Sequence, residues 1–231
     1  LLDPFCGGGT ILIEAAMVGR KMAPGLKRNF ACEAWTCCPA DIWTQERASA
    51  KEVQLDKLPQ RIVGTDRHGG ALALARRNAE AAGVGDDIHF QQRDFADLSS
   101  SREYGCMITN PPYGDRLDPH EVNQLYESMP GVLKRLPTWS HYILTAYRGF
   151  EKLIGRQADR RRKLYNGRIE CNYYQFHGPK PGSAAVQNAG HETADQSEHP
   201  STSSGGTLFG GLPAKDREQA ELLASRLKKR P

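Results

Sequence analysis

Apolar and polar positions follow two periods along this chain. Apolar runs of four or five residues, the mark of buried strands, alternate with longer stretches whose apolar residues recur three or four apart, the mark of amphipathic helices. Residues 1–3 read as the end of a first strand, and residues 10–18 carry a helical pattern that Gly19 is placed to end. Residues 61–64 predict a second strand, and the Ala-rich residues 70–82, stopped by Gly83, predict a helix. Third and fourth strands are expected over 87–92 and 105–109, a long helix over 119–136, a fifth strand over 142–145 and a short helix over 150–157. Residues 20–60 break the pattern. They predict an irregular insertion with its own Trp35 and Trp43 and a helix near 43–53.

The alternation predicts an α/β fold, a mostly parallel sheet with crossover helices. Near the end the pattern changes. Asn166-Gly167 between the strand-like runs 163–165 and 168–176 is a two-residue hairpin signal, so the sheet should close with an antiparallel pair. After Gly178, residues 179–213 are rich in Gly, Ser, Thr, Ala and Pro and read as a flexible linker. Residues 214–231 again read as helix, with Ala220, Leu223, Ala224 and Leu227 on one face. That helix is too short to be stable alone and is expected to open a further domain. The division predicted is a main domain over 1–178, a linker and a helical segment. The chain begins in mid-strand without Met, so an N-terminally truncated domain is expected.

Composition narrows the picture. The hydrophobic share of 39% over 231 residues suits a chain part of which stays outside the core. A net charge of +4 permits a nucleic-acid partner without requiring one. Six cysteines fit no zinc spacing and read as reduced thiols of a cytoplasmic protein, with no metal site expected. No apolar run approaches 18 residues, so no membrane role is expected.

Candidate chemistry collects at strand ends, where ligands of open α/β sheets bind. Asp3-Pro4-Phe5-Cys6-Gly7-Gly8-Gly9-Thr10 joins the first strand to the first helix. Its glycines let backbone approach a ligand closely. Gly7 and Gly9 fit the first pair of a dinucleotide fingerprint, but Leu12 takes the third glycine's place. Asp3 and Glu14 would repel a pyrophosphate and suit a cationic sulfonium. Asp66, after the second strand, could accept ribose hydroxyls or cap the following helix. Asp94 could accept an adenine amino group with Phe95 packed on the ring, or could be a solvated loop residue. Asn110-Pro111-Pro112-Tyr113 ends the fourth strand. Its prolines stiffen a turn whose carbonyls and Asn110 side chain can hold an NH2 group, and Tyr113 offers a ring for a planar base. Arg156, Arg160, Arg161, Arg162 and Lys163 form the densest basic cluster, either a phosphate-binding face or a solvated one.

Taken together these motifs resemble class I S-adenosylmethionine-dependent methyltransferases that act on exocyclic amines, whose sheets also end in an antiparallel hairpin. The segments Ile13-Glu14-Ala15-Ala16, Ala23-Pro24-Gly25, 110–117 and 162–167 resemble, more specifically, bacterial 23S rRNA guanine-N2 methyltransferases carrying an N-terminal THUMP domain. The resemblance covers residues 1–178. It implies S-adenosyl-L-methionine as cofactor, held by Asp3, Phe5, Cys6, Gly7, Gly9, Thr10, Asp66, Asp94, Phe95 and Asn110. It implies catalysis by the Asn110–Tyr113 turn, 23S rRNA as partner, and an RNA-docking THUMP domain upstream that this sequence lacks. The tetrapeptide alone leaves open tRNA guanine, DNA adenine or protein glutamine as substrate, as well as an inactive RNA-binding module on the same fold.

Overall fold

The computed structural model describes residues 1–35, 37, 39–113 and 118–181, with the side chains of Ala40 and Pro119 left aside. The expected linker beyond residue 181 and the helix over 214–231 lie outside the described residues.

Among the described residues seven strands form one sheet: β1 (Leu2–Asp3), β2 (Ile62–Asp66), β3 (Ile88–Gln92), β4 (Cys106–Thr109), β5 (Ser140–Thr145), β6 (Arg160–Asn166) and β7 (Ile169–Phe176). Their order is β3-β2-β1-β4-β5-β7-β6. The first five are parallel, whereas β7 runs antiparallel to both β5 and β6. The parallel plan with a terminal hairpin follows the apolar pattern. Several boundaries differ from it, and the hairpin turn falls one residue later than expected, on Gly167-Arg168, because Asn166 pairs with Ile169 as the last residue of β6. Strand β6 starts at Arg160, because all seven of its residues register with β7, so Arg160–Arg162 belong to an edge strand. The helix after β5 stops at Ile154, because Gly155 takes a left-handed conformation (φ 71°) and ends it.

The described residues form five α-helices: α1 (Thr10–Gly19), α2 (Ala40–Glu52) in the insertion, α3 (Gly69–Ala82), α4 (Pro119–Lys134) and α5 (Phe150–Ile154). Alternation along the strands divides the core in two. On one face Met107, Ile143, Tyr174 and Phe176 pack with Tyr126, Met129, Val132 and Leu136 around the fully buried Phe150. On the other, Leu12 and Ala16 of α1 and Leu72, Ala75 and Ala79 of α3 pack on Ile62, Ile88 and Phe90. Each large side chain so buried contributes roughly 1.5–3 kcal/mol. The small residues bring α1 and α3 close together. A Cβ added at Gly9 would stand 3.2 Å from the Ala75 Cβ, and one at Gly64 would collide with Leu12.

The insertion is tied down by charge. Asp87, 3% exposed, accepts from the Leu58 amide at 2.7 Å and from Arg20 at 3.2 Å. Arg20 also reaches the Leu55 and Gly83 carbonyls. The carboxyl ends of β2, β1 and β4 are thereby left side by side, open towards the loops that follow them.

Candidate active site

A cavity of about 460 Å³ opens at those strand ends. Its lining comes from the loop after β1 (Pro4, Phe5), from the end of β2 (Asp66, Arg67, His68), from the turn after β3 (Asp94, Phe95, Ala96) and from Asn110 and Pro112 after β4. The remaining side is α4, which contributes Glu121, Gln124, Leu125 and Ser128. The volume is within the usual range for a small-molecule site, with apolar walls and a few placed polar groups.

The loop after β1 is shaped from within. Gly7 and Gly9 have φ of 50° and 87°, and Gly9 opens α1 in the left-handed region where a side chain would be strained. The Gly7 amide donates to Asp66 Oδ2 at 3.0 Å, while the other carboxylate oxygen accepts from the His68 amide at 2.9 Å. The residue that caps α3 is His68, and Asp66 stands two residues earlier on the cavity wall. Asp94 Oδ1 accepts from the Ala96 amide at 2.8 Å, fixing the turn after β3. Beside it the Phe5 and Phe95 rings pack 4.8 Å apart and form the apolar wall.

Asp3 is spent elsewhere. It is 2% exposed and does not line the cavity; its Oδ1 accepts from the Thr109 hydroxyl at 2.6 Å and from the Phe5 amide at 3.1 Å, locking β1 to β4. Burial pushes its carboxyl up to about 6, against the pull of those two bonds, with Asp66 adding to the rise. Burial, with Asp3 and Asp66 beside it, pushes the Cys6 thiol up to about 12, so Cys6 stays protonated and is no nucleophile. Gly9 and Thr10 serve the helix start and do not line the cavity.

At the end of β4 the geometry is most telling. Among the described residues, four buried side-chain polar atoms have no hydrogen-bond partner: Trp43 Nε1, Thr65 Oγ1, His141 Nε2 and Asn110 Oδ1. Of these residues, Asn110 alone lines the cavity. A buried acceptor left unsatisfied costs about 1–3 kcal/mol, and a donor supplied by a ligand removes that cost. Pro111 is buried behind Asn110. Tyr113 is 3% exposed, and its hydroxyl accepts from Asn166 Nδ2 at 2.9 Å and from Cys171 Sγ at 3.3 Å. In this conformation its ring is packed against the terminal hairpin, and a base can stack on it only if the turn moves.

The chain matches a known family over residues 1–175, described as the UPF0020 RMKL-like methyltransferase domain. The chain belongs to that methyltransferase family. YpsC of Bacillus subtilis, named as a candidate RNA methyltransferase, is 40% identical over 190 residues, 81% of this chain and 49% of YpsC. The ribosomal RNA large subunit methyltransferase K/L of Shewanella baltica is 37% identical over 185 residues, 77% of this chain and 26% of that protein. The chain therefore spans about half the length of the first relative and a quarter of the second. Among solved structures, SMU.472, described as a candidate methyltransferase complexed with SAH, superposes with a TM-score of 0.73 at 40% identity, covering 78% of this chain and 48% of that one. A Listeria monocytogenes structure described as a candidate N6-adenine-specific DNA methylase gives 0.70 at 44% identity, covering 77% and 46%.

Sequence reasoning missed the α4 wall of this methyltransferase domain. Glu121, Gln124, Leu125 and Ser128 stand at i, i+3, i+4 and i+7, one helical face, and that spacing directly after the Asn110–Tyr113 turn was the available signal. It also gave no role to His68, which sits on the cavity wall, where its Nε2 accepts from the Arg67 Nε at 3.1 Å. Arg67 pairs with Glu121 at 3.2 Å across the mouth. Both partners are exposed, so the pair adds little stability. In the basic cluster, Arg156 is committed to Asp159 and the His177 carbonyl. Tyr174 and Phe176 are core residues, and Tyr173 packs on Tyr142. Among the described residues no His, Cys, Asp and Glu group is arranged to hold a metal, and no helix is long and apolar enough to cross a membrane.

Proposed function

We propose that this domain methylates the exocyclic N2 amine of a guanine in 23S rRNA, with S-adenosylmethionine as cofactor. The observation that carries the reading is the buried, partnerless Asn110 Oδ1 on the cavity wall, beside the rigid Pro111-Pro112 segment.

The residues present fit the cofactor. The Asp66 carboxylate can accept ribose hydroxyls, Asp94 an adenine amino group, and the Phe5–Phe95 wall can flank the ring. When bound, S-adenosylmethionine supplies a methyl group on a positively charged sulfur. The rest of the chemistry is positioning by the protein. A guanine N2 lone pair is delocalised into its ring, so the free amine is a poor nucleophile. Acceptors at Asn110 Oδ1 and the Pro111 carbonyl favour a pyramidal nitrogen and aim its lone pair. Alignment and preorganised polarity of this kind are large rate terms. The nitrogen becomes acidic only once it carries the new group, so no strong base is needed beside it. A guanine reaches such a site from a loop or by leaving its helix.

The names of the ribosomal RNA K/L relatives and of YpsC support RNA as substrate. A second reading, adenine N6 in DNA, is favoured by the description given to the Listeria structure, since the same acceptor pair holds either amine. Nucleoside mass spectrometry of 23S rRNA from cells with and without the full-length protein tests the choice. Loss of N2-methylguanosine from 23S rRNA supports the first reading; unchanged rRNA with loss of N6-methyladenine from DNA establishes the second.

A further inference from the structure

The proposed function leaves the terminal hairpin's cations without a task. Strand β6 is the sheet edge, and Arg160, Arg161, Arg162 and Lys163 follow one another on it, all exposed and with no acid among them. Pleating sends them alternately to two faces. On one face Arg161 pairs with Glu151 at 2.9 Å and Lys163 with Glu170 at 2.7 Å. On the other, Arg160 stands opposite Gln175 and Arg162 opposite Tyr173. Neither makes an ion pair among the described residues.

That second face leads to the proposed catalytic turn. Leu164 and Asn166 continue it; Leu164 stands opposite Cys171, and both Cys171 and Asn166 donate to the Tyr113 hydroxyl. Arg162 is four residues from Asn166, about 13 Å at roughly 3.3 Å per residue. Unpaired cations thus run down one face and stop within a few nucleotides' length of the turn. At the tip, Arg168 is exposed.

We propose that the Arg160–Arg162 face of β6 is the track on which the RNA backbone docks, its two unpaired guanidiniums gripping phosphates so that a neighbouring base reaches the Asn110–Tyr113 turn. This rests on the reading of the domain as an RNA methyltransferase. Charge on an edge strand also blocks unwanted sheet extension. That role needs charge of either sign, and it gives no reason for one face to be paired by acids while the face towards the site is left bare.

The test uses the full-length protein, comparing wild type with Arg160→Ala/Arg162→Ala, Arg160→Glu/Arg162→Glu and Arg161→Ala/Lys163→Ala. Steady-state methylation of rRNA is measured over a range of salt, and cofactor binding by calorimetry. For the first pair, KM for RNA should rise on the order of tenfold, and the slope of log affinity against log salt should flatten by about 1.4 to 1.8, the release expected from two phosphate contacts. The kcat at saturating RNA and the cofactor affinity should not move. The Glu pair, which keeps the edge charged, should lose more than the Ala pair. Unchanged KM and slope in an active wild-type background overturn the proposal, as does an equal loss from the Arg161/Lys163 pair. A wild-type protein that binds cofactor but transfers no methyl group to RNA overturns the underlying reading and this proposal with it.

Discussion

Asn166, the last residue of β6 before the hairpin turn, donates its side-chain amide to the Tyr113 hydroxyl at 2.9 Å across 53 residues of sequence. The contact makes the antiparallel end of the sheet a support for the proposed catalytic turn. Cys171, fully buried on β7, donates to the same oxygen. Tyr113 is thus held from one side by the hairpin and continues from Asn110 on the other.

Replacing Asn166 with Ala should loosen that turn while leaving the cofactor's side of the cavity untouched. One lost hydrogen bond of about 1–1.5 kcal/mol corresponds to a fall in kcat of roughly tenfold. Cofactor affinity by calorimetry should stay close to wild type, and the unfolding free energy should fall by no more than that one bond. A fall in stability without a fall in kcat would assign the contact to folding alone.

Asp66 joins the glycine loop to the mouth of the cavity through the Gly7 and His68 amides. Asp66→Ala removes both these bonds and the proposed ribose acceptor. Hydrogen bonds to a charged group are worth roughly 1.5–3 kcal/mol each, so the cofactor Kd should rise on the order of a hundredfold, with a smaller effect on kcat at saturation. Calorimetry showing an unchanged Kd would remove Asp66 from the cofactor site.

Two buried groups oppose each other in pH dependence. Burial raises Asp3 to about 6 from its usual 3.8, so the stability this shift contributes is complete below about 4 and lost as pH rises through 6. Burial, helped by Arg156, lowers His141 to about 4 from 6.5, so its contribution is complete above 6.5 and lost as pH falls to 4. Each shift is worth on the order of 3 kcal/mol. Wild-type stability should therefore be nearly level between pH 4 and 6. In Asp3→Asn it should climb with pH over that window, and in His141→Gln it should fall. Urea titrations of the three proteins at several pH values check this; parallel curves would contradict it.

The insertion's anchor is Asp87. Removing one partner of a buried ion pair leaves the other uncompensated and costs about 3–5 kcal/mol. Asp87→Ala, which also strands the Leu58 amide, should lower the unfolding free energy from urea titration by an amount in that range. A cost below about 1 kcal/mol would mean that residues 20–60 are held by something other than Asp87.

The sheet and the carboxylates at its strand ends were legible because each depends on local pattern: alternation within a strand, a glycine at a helix end, Asn-Gly at a hairpin. The roles of individual carboxylates were less so. Asp3 looked like a cofactor ligand from its place after β1; the structure buries it off the cavity wall, where Thr109, on the neighbouring strand and 106 residues away, donates to its Oδ1. Tyr113 looked like an exposed ring for the same reason; what packs it is Asn166 and Cys171, which no local pattern brings near. The α4 wall was hidden because residues 121–128 read equally well as an ordinary solvent face.

The central claim is that Asn110 holds the amine that receives the methyl group. Asn110→Ala in the full-length protein, assayed together for methyl transfer to 23S rRNA and for cofactor binding by calorimetry, tests it most directly. Loss of a positioned hydrogen-bonding group should lower kcat by about 10²–10³, with the cofactor Kd within about threefold of wild type, since one neutral hydrogen bond is worth only about 0.5–1.5 kcal/mol. An equal loss of turnover and cofactor affinity, or turnover close to wild type, would contradict it.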